Sequence, residues 1–209
     1  MYSRPYDPKR PVVCLDEKSK ELHGQLREPL PIEPGRPRRE DSEYERHGTA
    51  NLFLWVEPLG GRRGVRVTER RTAVDFAEQL RVLVDEIYPE AEKIVLVTDN
   101  LNTHSAASLY EAFSPQEARH LAEKIEWHYT PEHGSWLNMA ECELSVLSRQ
   151  CLNRRLPDRE ILQSEASVWT GIRNEAQTGI DWQFSTSDAR VKLKRLYPIL
   201  IEMKDKSSS

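Results

Sequence analysis

Cysteine is scarce in this chain, with Cys14, Cys142 and Cys151 its only three. Their odd number and the lack of any CxxC spacing exclude a disulfide framework and a zinc knuckle and fit a reducing compartment. Long apolar runs are missing as well. The purely apolar stretches, such as Ile94 to Val97, fall far short of the roughly 20 residues needed to span a bilayer, so no membrane segment is expected. The first residues, MYSRPYDPKRP, mix prolines with charges and have no apolar centre of the kind a secretory signal requires. A cytoplasmic protein is the expectation. No internal repeat is visible.

What is present is a chain of 209 residues, 38% of them hydrophobic and 31% charged. A chain of this length buries roughly 70% of the surface it exposes when unfolded, enough for a core without disulfides or structural metal, and global disorder is excluded. The net charge is only -4, from 30 Lys+Arg against 34 Asp+Glu, but the signs are segregated. Basic and acidic residues number 15 and 12 in residues 1–71, 4 and 14 in 72–143, and 11 and 8 in 144–209. A solvated acidic helix accounts for an acidic middle; so does a carboxylate site that needs cations, between flanks that tolerate polyanions.

Hydrophobic patterning orders the elements. Pro11-Val-Val-Cys-Leu15 reads as a buried strand with Asp16 at or just inside its end. Residues 29–43 hold four prolines, a glycine and mixed charges, which predicts a long surface loop. Asn51–Val56 and Gly64–Thr68 read as antiparallel strands joined through Gly60-Gly61. Thr72 caps a helix whose apolar residues recur from Val74 to Ile87 until Pro89. Lys93–Thr98 is an apolar strand that again ends on an aspartate, Asp99, and a strand that returns after a helix is expected to lie parallel to its neighbour. Helices broken near Ser114-Pro115 occupy 103–124, a strand 125–129, and helices 138–153 and 158–177; a basic helix is expected from Asp188 to Leu196. The order is βββ-α-β-α-β-α: an α/β fold with a mixed sheet of about five strands flanked by helices.

In that order the first strand lies beside the fourth, which makes Asp16 and Asp99 neighbours. Two carboxylates in contact are tolerable only with a shared proton or a bound cation, and hard oxygen ligands favour Mg2+ or Mn2+. Glu141, near the start of the helix after the fifth strand, is the natural third ligand. Three carboxylates and substrate oxygens hold two cations about 3.5 to 4 Å apart for phosphodiester displacement. Glu143 competes with Glu141; the two lie about 200° apart on a helix, and the helical face alone does not decide between them, although Leu144 and Leu147 turn Glu141 toward the interior.

VVCLDEKS around Asp16, VTDNLNTH around Asp99 and PEHGSWLNMAECEL around Glu141 resemble the three acidic motifs of the IS630 family of transposases, within the Tc1/mariner superfamily, and IDWQFSTSDARVKLKRLYP resembles that family's C-terminal end. The resemblance implies an RNase H-like fold and a DDE endonuclease and strand transferase that carries out DNA transposition, with Asp16, Asp99 and Glu141 as catalytic and metal-binding residues for two Mg2+ or Mn2+ ions. LNMAE decides for Glu141 over Glu143. Domain boundaries follow as a leader at 1–10, the catalytic domain at 11–200 and a disordered tail at 201–209. The family's helix-turn-helix region has no counterpart here, so the implied partners are DNA, as transposon ends and target, a polypeptide supplying that recognition module, and a second copy in a homodimer on DNA. The implied location is the bacterial cytoplasm, with the nucleoid when DNA is bound.

Around this site the candidates for DNA contact or for supporting the ligands are His104, His133, Trp136, Asn138, Arg62, Arg63, Arg154 and Arg155. Trp136 offers a face for base stacking, His104 a reach to phosphate or water, Asn138 a helix cap. Arg36, Arg38, Arg39, Arg66 and Arg149 are further phosphate contacts, and Cys142 reads as packing. The competing readings are an inactive truncated remnant serving as an interaction protein, against which all three carboxylates speak, and another RNase H-like nuclease, against which GSWLNMAE speaks.

Overall fold

The structure, a computed structural model, describes Tyr2, residues 4–25, 43–131, 134–177 and 179–180, Asp188 and Val191. Most of the expected loop at 29–43, the basic helix from Asp188 apart from its two described residues, and the tail at 201–209 lie outside these. Five strands, β1 (Val12–Gln25), β2 (Tyr44–Glu57), β3 (Arg62–Thr68), β4 (Ile94–Thr98) and β5 (Ile125–Tyr129), and five helices, α1 (Ala73–Val82), α2 (Ala107–Ala112), α3 (Pro115–Lys124), α4 (Met139–Leu147) and α5 (Arg159–Glu175), follow one another in the expected order. The strands form one sheet in the order β3-β2-β1-β4-β5. β1 to β3 are an antiparallel meander, and β4 and β5 are added parallel to β1.

β1 is much longer than its apolar run. Its 14 residues pair with β2 from Cys14↔Val56 to Gln25↔Tyr44, whereas only Val12 to Cys14 pair with β4. The stretch flanked on both sides is apolar; past Cys14 the strand is half-exposed and accepts Glu17, Lys18 and Ser19, which a search for apolar runs does not see. Asp16 therefore lies inside β1 and not at its end. It lies two residues beyond the last pair with β4.

Period-two alternation divides the sheet into two faces. Val12, Cys14, Leu52, Leu54, Val95 and Val97 pack with Met139, Ala140, Leu144 and Leu147 of α4 and with Leu162 and Trp169 of α5. Val13, Leu15, Phe53, Ile94, Leu96 and Ile125 pack with Phe76 and Leu80 of α1 and with Leu109, Ala118 and Leu121. Local chemistry sets the helix starts: Thr72 and Asp75 form a reciprocal capping box on α1, Ser114 and Pro115 open α3, and Asp158 accepts from the Ile161 amide at 2.7 Å at the start of α5. Both α1 and α4 continue into a π turn, at Leu83–Ile87 and Ser148–Leu152.

A buried ion cluster fixes α4 and α5 against β3. Glu143 Oε1 accepts from Arg173 at 2.9 Å, and its Oε2 lies 3.4 Å from Arg63 Nε. Asn174 of α5 exchanges hydrogen bonds with the Arg63 backbone at 3.0 and 2.9 Å. Arg63 is 1% exposed and Glu143 2%, so Arg63 cannot contact DNA as expected, and Glu143, not Glu141, is the glutamate that α4 turns into the protein. Helical spacing alone did not decide between them, and the hint from Leu144 and Leu147 that Glu141 faces inward fails because the cluster neutralises the Glu143 charge among the apolar contacts. Removing one member of such a buried pair costs about 3–5 kcal/mol. Glu143→Ala is expected to lose that much unfolding free energy in urea; a loss below about 1 kcal/mol would show that the cluster does not hold the helices.

Candidate active site

The parallel register pairs Val12 with Val95, Val13 with Leu96 and Cys14 with Val97. Two more residues along each strand bring Asp16 and Asp99 to corresponding positions, where β4 ends and β1 runs on with β2. The third carboxylate arrives on α4. Asn138, fully buried, accepts from the Ala140 amide at 3.1 Å and donates to the Leu15 carbonyl at 3.0 Å. One side chain thus caps α4 and ties its first turn to β1 next to Asp16, and that turn contains Glu141.

Asp16 is 8% exposed. Burial pushes its carboxyl up to about 7, and the charges of Glu17, Asp99 and Glu141 push the same way, against a single bond accepted from the Glu17 amide. That bond, 2.8 Å long, is made by Oδ1. Among the described residues, no donor reaches the other Asp16 oxygen, Asp99 Oδ2 or the Glu141 carboxylate. Three carboxylates within electrostatic reach and short of donors match the donor set of a hard divalent cation. They are not a finished cage: among the described residues no three His, Cys, Asp or Glu side chains are closed around one point.

His104 lies beneath this group instead of facing solvent. It is 1% exposed and stacks on Phe76 with ring centroids 4.3 Å apart. Its Nδ1 bonds Asp99 Oδ1 and lies 3.1 Å from Thr98 Oγ1, and its Nε2 is 3.0 Å from Glu17 Oε2. Burial opposes its charge, yet the bond to Asp99 and the Glu17 carboxylate beside its Nε2 hold it up at about 9. With both nitrogens engaged, it has none to offer a phosphate. Glu17 escaped the sequence reading; the only signal was a carboxylate adjacent to Asp16 and so on the opposite face of the strand.

The remaining candidates scatter. Trp136 is half-buried in the 3-10 turn Ser135–Leu137, and His133, Arg36, Arg38 and Arg39 lie outside the described residues. Arg62 is exposed, with its guanidinium 5.4 Å from the Tyr88 ring. Arg154 pairs with Glu165; Arg155 donates to the Glu43 carbonyl at 3.3 Å and lies over Tyr44. Cys142 is exposed, not packed as expected.

The mixed five-stranded sheet with helices on both faces is an RNase H-like fold. Among solved structures the fold is similar to part of the chain in Mos1 complexes. A pre-cleavage Mos1 transpososome matches with a TM-score of 0.51 and 18% identity, over 78% of this chain and 49% of that one. The mariner Mos1 paired end complex with Mg matches with 0.51 and 19%, over 79% and 49%. This chain thus spans about half the length of those chains. No curated protein sequence matches it. The DDE superfamily endonuclease family matches residues 11–163, and the chain belongs to that family.

The raised carboxyl of Asp16 sets a pH dependence. A folded state that binds this proton more tightly than the unfolded chain gains stability at low pH and loses it as pH rises from about 4 to about 7. Asp16→Asn escapes the loss. In chelator its melting temperature is expected to exceed the parent's at about pH 8, with the difference vanishing near pH 4; an Asn variant no more stable at the higher pH would contradict the burial and repulsion described.

Proposed function

We propose that this chain is the catalytic domain, residues 11–200, of an insertion-sequence DNA transposase of the IS630 family within Tc1/mariner, a DDE endonuclease and strand transferase. The observation that carries the reading is the register of β1 and β4 together with the Asn138 tie, which gather Asp16, Asp99 and Glu141 at one end of the sheet. Family membership and the shared fold support it. Two Mg2+ or Mn2+ ions, held by Asp16, Asp99 and Glu141, would activate the attacking oxygen and stabilise the leaving one in phosphodiester displacement.

The chain's own part is electrostatic and geometric. Without cations, burial and the neighbouring carboxylates push the Asp16 carboxyl up to about 7, and the acidic group repels a phosphate backbone. Neutralising the three carboxylates therefore both readies the site and admits DNA. The exposed Arg62, Arg66, Arg149 and Arg154 are the proposed backbone contacts, and the half-buried Trp136, in the turn that leads into α4, the proposed base-stacking face. Recognition of transposon ends is assigned to a helix-turn-helix module, and the active assembly to a homodimer on DNA.

Asp16→Asn, Asp99→Asn and Glu141→Gln are each expected to lower Mn2+-dependent nicking more than about 100-fold, beyond what loss of a supporting group costs, while far-UV circular dichroism is retained. Glu143→Gln, assayed at a temperature where it is folded, is expected to keep cleaving; loss of cleavage there but not in Glu141→Gln would reverse the assignment.

For DNA, scattered arginines around an acidic centre neutralise phosphates but read no base edges. Affinity measured on inverted-repeat and scrambled duplexes is expected to fall steeply with salt, and a preference of 100-fold, about 2.7 kcal/mol, would show that this chain reads sequence itself.

A further inference from the structure

Glu17 and His104 are costly to bury, and nothing in the packing requires them. The Glu17 side chain is 5% exposed and follows Asp16 on β1, on the strand's other face. His104 is placed by its amide, which donates to the Leu101 carbonyl at 2.9 Å in the loop after β4. An apolar ring at 104 would fill the slot against Phe76 without desolvating a polar group. What imidazole adds is a bridge: one nitrogen on Asp99 Oδ1 and near Thr98 Oγ1, the other 3.0 Å from Glu17 Oε2, with Arg71 3.7 Å from Glu17 Oε1. β1 and β4 share no backbone pairs beyond Cys14↔Val97, so this bridge ties the two strands together where they part.

We infer that Glu17 and His104 are a positioning pair for Asp99, holding one of its carboxylate oxygens so that the other is presented to a divalent cation. The inference rests on the reading of Asp99 as a cation ligand. Its physical basis is general: a liganding group held by a hydrogen bond from behind loses less orientational freedom when the ion binds, and removing such a partner typically weakens binding by about 10–100-fold. Glu17 acts at one further remove, by fixing the imidazole.

The test uses the full chain without DNA and Mn2+ alone as probe, with binding followed by loss of the free-ion electron paramagnetic resonance signal. His104→Phe, which keeps the stack on Phe76, and Glu17→Leu are expected to melt cooperatively and bind Mn2+ about 10–100-fold more weakly, while Glu17→Gln, which keeps an oxygen beside the imidazole, stays within about 3-fold of the parent. Parent-like affinity in a folded His104→Phe would overturn the pairing. Asp99→Asn separates the two levels: if it too binds normally, the ligand reading fails with the inference, whereas if it loses Mn2+ and His104→Phe does not, only the inference fails. A measurement on the unaltered chain covers variants that do not fold. With 15N-labelled histidine, the His104 ring resonances should shift on Mg2+ titration with the midpoint of metal binding, and resonances unmoved at saturation would overturn it.

Discussion

Negative charge gathered where β1 and β4 part is the constraint on which the rest of this molecule depends. Strand ends would ordinarily keep two aspartates apart or expose both to water. Here the parallel register brings Asp16 and Asp99 together, Asp16 is nine-tenths buried, and Glu141 adds to the repulsion. The fold tolerates this because the Asp16 carboxyl, pushed up to about 7, holds its proton to higher pH than an ordinary aspartate and His104 offsets charge from below. Both are the compensations of a resting protein, and a cation at the carboxylates would take over the first.

α4 carries the geometry of the third carboxylate through two contacts of different kinds. Asn138 ties its first turn to the Leu15 carbonyl, and two residues beyond Glu141 the Glu143 carboxylate is gripped by Arg63 and Arg173. The first contact sets where the helix begins and the second its rotation about its axis. Two glutamates about 200° apart on one helix therefore have separate duties, Glu143 in the interior and Glu141 toward the strand ends.

Much of this was legible in the residues. Apolar runs ending on aspartate located β4 and the start of β1, and Thr72 and Ser114-Pro115 located helix starts, because capping and proline chemistry act within three or four residues. The adjacency of strands one and four followed from the order of the elements and connection rules, and the RNase H-like fold from the resemblance of the acidic motifs. What stayed hidden depends on partners distant in sequence. The second half of β1 is a strand because β2 pairs with it, not because of its own polar residues. Arg63 reads as a surface arginine until Glu143, 80 positions on, neutralises it, Glu17 is unremarkable, and His104 reads as a reach to phosphate until the fold sets its two nitrogens beside Asp99 and Glu17.

Asp16, Asp99 and Glu141 are proposed here as a divalent-cation site. A crystal grown at neutral pH and soaked in Mn2+, with data collected at the manganese absorption edge, tests it most directly. An anomalous peak within about 2.0–2.6 Å of oxygens from all three carboxylates, with Glu143 still bound to Arg63 and Arg173, is the predicted result. A fully occupied peak elsewhere on the protein, or one that draws Glu143 out of its cluster, would contradict it.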